Sequence, residues 1–274
     1  MKRKKTETVA ALEYMRTMPT SRWAWEFLRR NPDYENEYSC HANGALKQRR
    51  EGNLDIYNLQ RPEPEAEKWG LIFFADPDNN SQTAPVFWTM EANPRVIGVE
   101  TVPRQKGDPK SLLNTIFDLR LFGATRIHLT DGYGKEHLLL LRGNRVVQMH
   151  CEGHTLLNGD VELRFILEGF GSLDAKIDTI RRLAQLYDKN SGANPTLRDG
   201  WSSKTASLRD ALIALDVYQT GGNHVDTAVA IYGQQAVDDQ YYNSDSSLKN
   251  KMYRARRRGI ELMEGGYKAL MQNT

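Results

Sequence analysis

The chain has 274 residues, a formal net charge of +2, 39% hydrophobic residues and 26% charged residues. This length suits one large domain or two to three small ones with an ample core. No run of residues approaches the roughly 18 apolar positions of a membrane-spanning helix. The only two cysteines, Cys40 and Cys151, make no disulfide framework, and the basic N-terminus leads into polar and acidic residues. We therefore expect no secretory signal, no membrane partner and a cytoplasmic location.

Residues 1–38 are predicted to form an N-terminal helical domain. Trp23 and Phe27 share one helical face, Ser21 is a plausible N-cap, and Pro32 should end the helix. Aromatic residues are concentrated here, which indicates a core or an inter-domain or inter-subunit contact. The candidates for an oligomerisation contact are Trp23, Trp25 and Phe27.

Residues 39–68 are predicted as a connecting segment, and residues 69–170 as a central, mostly antiparallel β-rich domain. Gly143-Asn144 suits a two-residue hairpin turn, because both residues tolerate positive φ. A short helix is predicted over residues 111–122. The apolar run 138–141 is unsuited to a free edge, so we expect it to be covered by a helix or by another subunit. The predicted strands are 69–75, 84–89, 95–100, 126–130, 136–142, 145–151 and 160–167. For this domain we favour a role in oligomerisation or in sensing an effector.

From residue 171 to residue 274 the apolar period changes to that of helices. The predicted order is a helix from Ser207 to Gly221, a short helix that stops at Gly233, a turn segment, and then a long basic helix. This is the order expected for a helix-turn-helix variant whose last helix enters a DNA groove. The fold class is therefore predicted to be α+β, with a helical DNA-binding domain at the C-terminus.

The last predicted helix carries most of the basic charge of this domain. Six of the ten residues from Lys249 to Arg258 are basic and none is acidic. Its apolar residues recur at steps of four and three, which places them in one stripe: Leu248, Met252, Ala255, Gly259 and Leu262. One helix can therefore dock on a core and present a cationic surface. A basic helix face that is merely solvated is the alternative interpretation.

The opposite side of this helix contains residue types that read bases. Arginine binds guanine O6 and N7 with two hydrogen bonds, and asparagine binds adenine N6 and N7 in the same way. Asn250, Arg254 and Arg257 are therefore candidates for base contacts, and Tyr253 could stack on a base or bond to a phosphate. Ser247 could present a backbone amide to a phosphate. The candidates for phosphate contacts are Lys249, Lys251, Arg256 and Arg258.

Other chemistry has weaker support in the sequence. His150, Cys151 and His154 are residue types that bind zinc, but no paired CxxC accompanies them and the segment resembles a polar strand end. No GxSxG motif and no phosphate-binding P-loop is present. We therefore expect no catalytic residues, no metal and no cofactor.

Several segments resemble the RovC-like family of bacterial transcription activators. The segments similar to the C-terminal domain of that family are Arg209–Asp216, Gly222–His224, Ala228–Gly233, Leu248–Gly259 and Gly265–Leu270. The segment Ser21–Tyr34 is similar to its N-terminal domain, and the match continues over 69–77 and 84–88. The resemblance covers nearly the whole chain. The family includes activators of type VI secretion genes and, in fused FseA-like proteins, activators of the excision and transfer of integrative elements.

This resemblance implies a non-enzymatic, homo-oligomeric activator, with a hexamer as one expected state. The expected partners are double-stranded promoter DNA, further copies of the chain and RNA polymerase. Two other functions remain open: a protein–protein adaptor whose basic helix binds an acidic partner, and a nuclease- or hydrolase-type enzyme. The enzyme would need carboxylates that converge in one pocket, and the sequence shows no such cluster.

Overall fold

The computed structural model describes residues 8–41, 46–103, 116–121, 123–187, 200–241 and 247–272. The described residues form an α+β protein, as predicted, and divide into two compact units. The helical unit comprises Met1–Pro32 and Thr196–Leu270, and the sheet unit comprises Asp33–Pro195 and Met271–Thr274. This division differs from the four predicted segments, because the N-terminal helical residues pack with the C-terminal helices and residues 171–187 belong to the sheet unit.

The helices are α1 Thr20–Leu28, α2 Pro32–His41, α3 Leu173–Tyr187, α4 Ser203–Gln219, α5 His224–Tyr232, α6 Gln234–Gln240, α7 Ser247–Glu261 and α8 Tyr267–Gln272. The strands are β1 Leu46–Glu51, β2 Leu54–Leu59, β3 Ile97–Pro103, β4 Ile116–Phe117, β5 Thr125–Thr130, β6 Glu136–Arg142, β7 Arg145–Gly153 and β8 Val161–Ile166. A 3₁₀ turn, Glu13–Thr17, precedes α1.

Two N-terminal helices replace the single predicted one. The N-cap position of α1 is occupied by Pro19 and not by the predicted Ser21, which lies inside the helix. Helix α1 ends before Pro32, and Pro32 then begins α2, since proline is tolerated in the first turn of a helix.

A buried ionic cluster joins α1 to α4 within the helical unit. Arg30 Nε lies 2.6 Å from Asp216 Oδ1, and Arg30 Nη1 lies 2.6 Å from Glu26 Oε2. The Asn31 amide donates to the carbonyl oxygen of Met263 over 3.0 Å. Because a buried charge is costly without a partner, this cluster binds the two ends of the chain into one unit.

Local sequence explains the boundaries of the C-terminal helices. The Ser202 hydroxyl caps α4 by accepting from the Thr205 amide at 3.1 Å. Asn223 and Asp226 form a reciprocal capping box at the start of α5. Gly233, with φ of 84°, separates α5 from α6. The predicted turn segment before the basic helix therefore contains a helix of its own, α6.

The sheet unit is built on one mixed sheet with the strand order β1-β2-β5-β6-β7-β3-β8-β4. The β2–β5 and β3–β7 pairs are parallel, and the other five pairs are antiparallel. The mostly antiparallel character is thus confirmed. The predicted hairpin at Gly143-Asn144 is also confirmed, since Arg142 and Arg145 are paired across it.

The two faces of the sheet are covered by different parts of the chain. Leu183 and Leu186 of α3 pack on one face with Leu138 and Leu140 of β6. The apolar run 138–141 lies in this interior strand, with β5 on one side and β7 on the other. On the opposite face, Leu139 packs in a cluster with Phe73 and Phe87. The sheet core therefore lies in two layers.

The predicted strands 69–75 and 84–89 are wrong. Their only strand-type pairing among the described residues is an isolated bridge between Leu71 and Trp88. Side chains satisfy their backbone instead: the Phe74 amide donates to Glu63 Oε2, and Gln148 bonds both the amide and the carbonyl of Trp88. These segments are apolar because their aromatic side chains, such as Phe73 and Phe87, pack against a face of the sheet, and not because the segments are strands of it.

Two further predictions are corrected. The supposed connecting segment 39–68 contains the end of α2 and the β1–β2 hairpin, whose outer strand is charged as expected for a sheet edge. In the predicted helix 111–122, residues 111–115 and 122 lie outside the described residues. The described part is β4, paired with β8, followed by a 3₁₀ turn, Leu119–Leu121.

Candidate nucleic-acid interface

Helix α7 docks on the helical unit through the predicted stripe. Leu248, Met252, Ala255 and Gly259 are buried in it, and Leu262 follows directly after the helix. Met252 is fully buried in a cluster with Val237 and Tyr241 of the preceding segment. The apolar period therefore fixes which side of α7 faces the protein.

Gly259 allows α7 to approach α4 closely. A Cβ atom added at this position would lie 2.4 Å from the carbonyl oxygen of Ala211 and 3.1 Å from Leu215 Cβ. Such distances are far below ordinary van der Waals contact, so only glycine fits at this crossing. The crossing holds the C-terminal half of α7 against α4.

The predicted site residues lie together on the solvent side of α7. Arg256 is half-buried, and the others are exposed: Ser247, Lys249, Asn250, Lys251, Tyr253, Arg254, Arg257 and Arg258. Their polar groups are not all equally available, however. Three of the cations turn back toward α4 or α5.

Lys251 belongs to a hydrogen-bonded network around a buried carboxylate. Its ammonium group donates to the Tyr232 hydroxyl and lies 3.3 Å from Asp210 Oδ2. Tyr232 in turn donates to Asp210 Oδ2 over 3.2 Å, while Arg209 binds Asp210 Oδ1 at 2.6 Å. The hydrogen bond to Tyr232, followed by the charge of Asp210, raises the pKa of Lys251.

Arg256 and Arg258 also contact α4. The Arg256 guanidinium lies 4.0 Å from the centroid of the Tyr218 ring, in cation–π geometry. Arg258 donates to the Ser207 hydroxyl over 2.9 Å. On a helical wheel, Arg256 lies on one flank of the buried stripe, and Lys251 and Arg258 lie on the other.

The outermost ridge of α7 consists of Asn250, Tyr253, Arg254 and Arg257. Arg254 has no carboxylate partner among the described residues, and its only hydrogen bond there is to the carbonyl of Asn250 at 3.3 Å. Arg257 pairs with Glu261 at 3.2 Å, but both side chains are more than 60% exposed, so the pair is weak. The acidic residue sits at the C-terminal end of α7, which leaves the first two turns free of negative charge.

His224, the first residue of α5, lies beside this surface. Its ring centroid is 5.8 Å from that of Tyr253. Burial, followed by the positive charges of Arg256 and Lys249, lowers the pKa of His224. Sequence reasoning did not find His224, Asp210, Tyr218 or Tyr232, because their spacing along the chain gives no sign that they meet α7.

The three candidate oligomerisation residues lie in the core. The side chains of Trp23, Trp25 and Phe27 are completely buried within the chain. Trp23 packs edge-on against Trp201, with ring centroids 6.3 Å apart. Their burial favours the core interpretation that the sequence left open, and it leaves them no surface to offer a second subunit in this conformation.

The fold does not arrange the candidate zinc ligands His150, Cys151 and His154 as a metal site among the described residues. Cys151 is buried, and burial raises the pKa of its thiol. His150 lies in β7 against His137, with 3.3 Å between their Nδ1 atoms. Within the described ranges, no three His, Cys, Asp or Glu side chains are grouped so that they could hold a metal ion.

Comparison with known families agrees with this geometry. Residues 168–272, which include α3 through α8, match a family model described as a T6SS transcription factor, DNA-binding domain. Residues 7–74 match a second model, the proteobacterial transcriptional regulator-like domain. No curated protein matches the chain. Across the described helices, none is both long and apolar enough to cross a membrane.

Both matched families are families of regulators, so the class of protein is a DNA-binding transcriptional regulator. The two matches also confirm the resemblance to RovC-like regulators that was predicted from sequence.

Proposed function

We propose that this protein is a sequence-specific activator of transcription that places α7 in the major groove of duplex DNA. The observation that carries the proposal is the two-sided character of α7. Its apolar stripe is buried, and its opposite side exposes cations and base-reading residues without an acidic residue in the first two turns. An α-helix fits the major groove, where arginine and asparagine recognise guanine and adenine by paired hydrogen bonds.

The ridge residues are assigned to the bases. In helix-turn-helix proteins the N-terminal residues of the recognition helix contact base edges. Asn250 and Arg254 lie in the N-terminal half of α7, and Arg257 lies one turn further along. Lys249 flanks the ridge and is assigned to a phosphate, and Ser247, at the start of the helix, is assigned to present its amide to another.

A single helix of this kind binds weakly, so specificity is assigned to several copies acting together. Symmetric copies would place their recognition helices at half-sites spaced by whole turns of DNA. We therefore propose that the protein acts as a homo-oligomer, with a hexamer as the first state to test by light scattering. Promoters of type VI secretion genes or of mobile elements are the proposed targets, and RNA polymerase is the proposed partner in activation.

A gel-shift titration against DNA from upstream of its own gene tests the proposal. Specific binders typically reach Kd values of roughly 10⁻⁸–10⁻¹¹ M at physiological salt. Arg254→Ala and Arg257→Ala should each weaken binding to the specific site, because each removes a base contact. Lys249→Ala should make the dependence of affinity on salt less steep, because it removes a phosphate contact. Lys47→Ala removes an exposed cation of β1 and should change neither quantity.

The same titration separates the alternatives. Unchanged affinity in both arginine variants, together with an unchanged salt slope in Lys249→Ala, would show that α7 is not the DNA contact. If the wild-type chain has no DNA affinity at about 100–150 mM salt, the adaptor hypothesis replaces the proposal, since a basic helix can equally meet an acidic protein partner.

A further inference from the structure

The cations of α7 divide into two sets with different surroundings. Arg254 and Arg257 are exposed on the ridge, where Arg254 has no carboxylate partner among the described residues and Arg257 has only the exposed Glu261. Lys251, by contrast, is bonded to both α4 and α5. Sequence alone groups Lys251 with Lys249, Arg256 and Arg258 as a candidate phosphate contact.

The centre of the network is a carboxylate that needs its partners. The Asp210 side chain is only 3% exposed, and a buried charge is tolerated only when it is paired and hydrogen-bonded. Arg209 occupies Oδ1, while Tyr232 and Lys251 both converge on Oδ2. Moving Lys251 to a DNA phosphate would remove one of the two groups that satisfy Oδ2.

The position of the network determines what it can do. Asp210 belongs to α4, Tyr232 to α5 and Lys251 to α7, so three helices meet at one carboxylate. Lys251 lies beside the buried stripe of α7, where a fixed side chain resists rotation of the helix about its axis. Arg256 on the opposite flank is held against Tyr218 of α4. Base readout needs its side chains fixed within about 10–20° of the productive orientation.

We propose that Lys251, together with Tyr232 and Asp210, is a positioning residue that sets the rotation of α7 and does not bind backbone phosphate. This role rests on the proposed function of α7 in DNA recognition. The set that touches DNA is then smaller than the basic run suggests, and the specificity of the ridge depends on an acidic residue that lies on another helix.

Salt dependence distinguishes a positioning residue from a phosphate contact. Each phosphate contact contributes about 0.9 to the slope of log affinity against log salt. Lys251→Gln is expected to keep the wild-type slope and to lose affinity for the specific site, while its affinity for scrambled DNA stays the same. Lys249→Gln, at the residue assigned to a phosphate, is the matched control and is expected to lose close to 0.9 of slope on both DNAs.

Tyr232→Phe tests the network independently of Lys251, because it removes one hydroxyl group and keeps the ring. It should reproduce the loss of discrimination seen in Lys251→Gln. The double variant should lose no more than the more damaging single variant, since residues of one network are not additive. Two results would overturn the proposal. In the first, Lys251→Gln reduces the salt slope by about 0.9 while Tyr232→Phe binds as wild type does. In the second, both single variants bind DNA as wild type does.

Thermal unfolding without DNA keeps this test separate from that of the proposed function. The Tm losses of Lys251→Gln and Tyr232→Phe should fail to add in the double variant. If wild-type DNA binding is absent but this non-additivity is present, the proposed function fails while the network remains. Fully additive Tm losses show that Lys251 and Tyr232 act separately, and the positioning role is then rejected.

Discussion

Gly259→Ala tests whether the close crossing of α4 and α7 holds the recognition helix in place. At an ordinary helical position this change stabilises a protein by about 1 kcal/mol, because alanine has the higher helix propensity. Here the new methyl group would lie 2.4 Å from a backbone carbonyl of α4. A carbonyl cannot turn away as a flexible side chain can, so the two helices must separate by about 1 Å to restore normal contact.

The magnitudes decide the sign of the effect. Overpacking a close contact costs about 1–3 kcal/mol, and a clash with backbone belongs at the upper end of that range. After the gain in helix propensity is subtracted, we expect a net loss of about 1–2 kcal/mol. For a domain of about 100 residues, each kcal/mol corresponds to a fall in Tm of about 4–8 °C.

The assay is chemical and thermal unfolding of the full-length chain, followed by DNA titration at a temperature where both proteins are folded. Asn250→Ala serves as the control for stability, because Asn250 is exposed on the opposite side of the helix, where higher helix propensity should raise Tm slightly. A Gly259→Ala protein that is more stable than wild type would refute the argument, since the propensity gain would then act without a clash.

Three further predictions concern charge. Arg30→Met removes the cation that bridges the buried carboxylates of Glu26 and Asp216. The free energy of unfolding, measured by urea titration, should therefore fall by about 3 kcal/mol or more. A loss below about 1 kcal/mol would contradict a structural role for the cluster. Burial alone would raise the pKa of Glu136, but its polar neighbours, first among them His128 with Nε2 3.1 Å from the carboxylate, outweigh burial and lower it to about 2. The resulting stability, at most about 3 kcal/mol, is present above pH 4.5 and is lost as pH falls toward 2, and Glu136→Gln should flatten that part of the pH–stability curve. Phosphates near α7 would offset the charges that lower the pKa of His224, so DNA binding should take up a proton. Affinity should then rise as pH falls through the titration of His224, and His224→Gln should remove this dependence.

Sequence predicted the features that depend on local periodicity. The buried stripe of α7 follows from apolar residues at helical spacing, and the β6–β7 hairpin follows from Gly143-Asn144. Both signals lie within one element or one turn. The α+β class and the mostly antiparallel sheet follow from the same kind of pattern.

The features that sequence missed depend on contacts between distant residues. Arg30 meets Asp216, which lies 186 residues further along the chain, and this contact joins the two ends of the chain in one unit. Residues 84–89 have the composition of a strand, yet Gln148 satisfies the backbone of Trp88 in place of a neighbouring strand. No local pattern distinguishes those two outcomes.

The same reason limited the prediction of the site. Sequence located the cationic helix correctly but could not sort its residues, because the sorting depends on side chains of α4 and α5. Lys251 and Arg254 are both basic residues of α7, yet of the two only Lys251 lies 3.3 Å from the buried carboxylate of Asp210. The role of each cation is therefore a property of the folded unit.

Site-directed DNA cleavage tests the central claim most directly. Cys40 is exposed and Cys151 is buried, so a Cys40→Ser background leaves no exposed native thiol among the described residues. An iron chelate attached to Asn250→Cys in that background should cut the target DNA at discrete positions within one site. The same reagent applied to the Cys40→Ser protein without Asn250→Cys should give no such cuts. Equal cleavage from both proteins, or none from Asn250→Cys on DNA that the protein demonstrably binds, would contradict the placement of α7 in the groove.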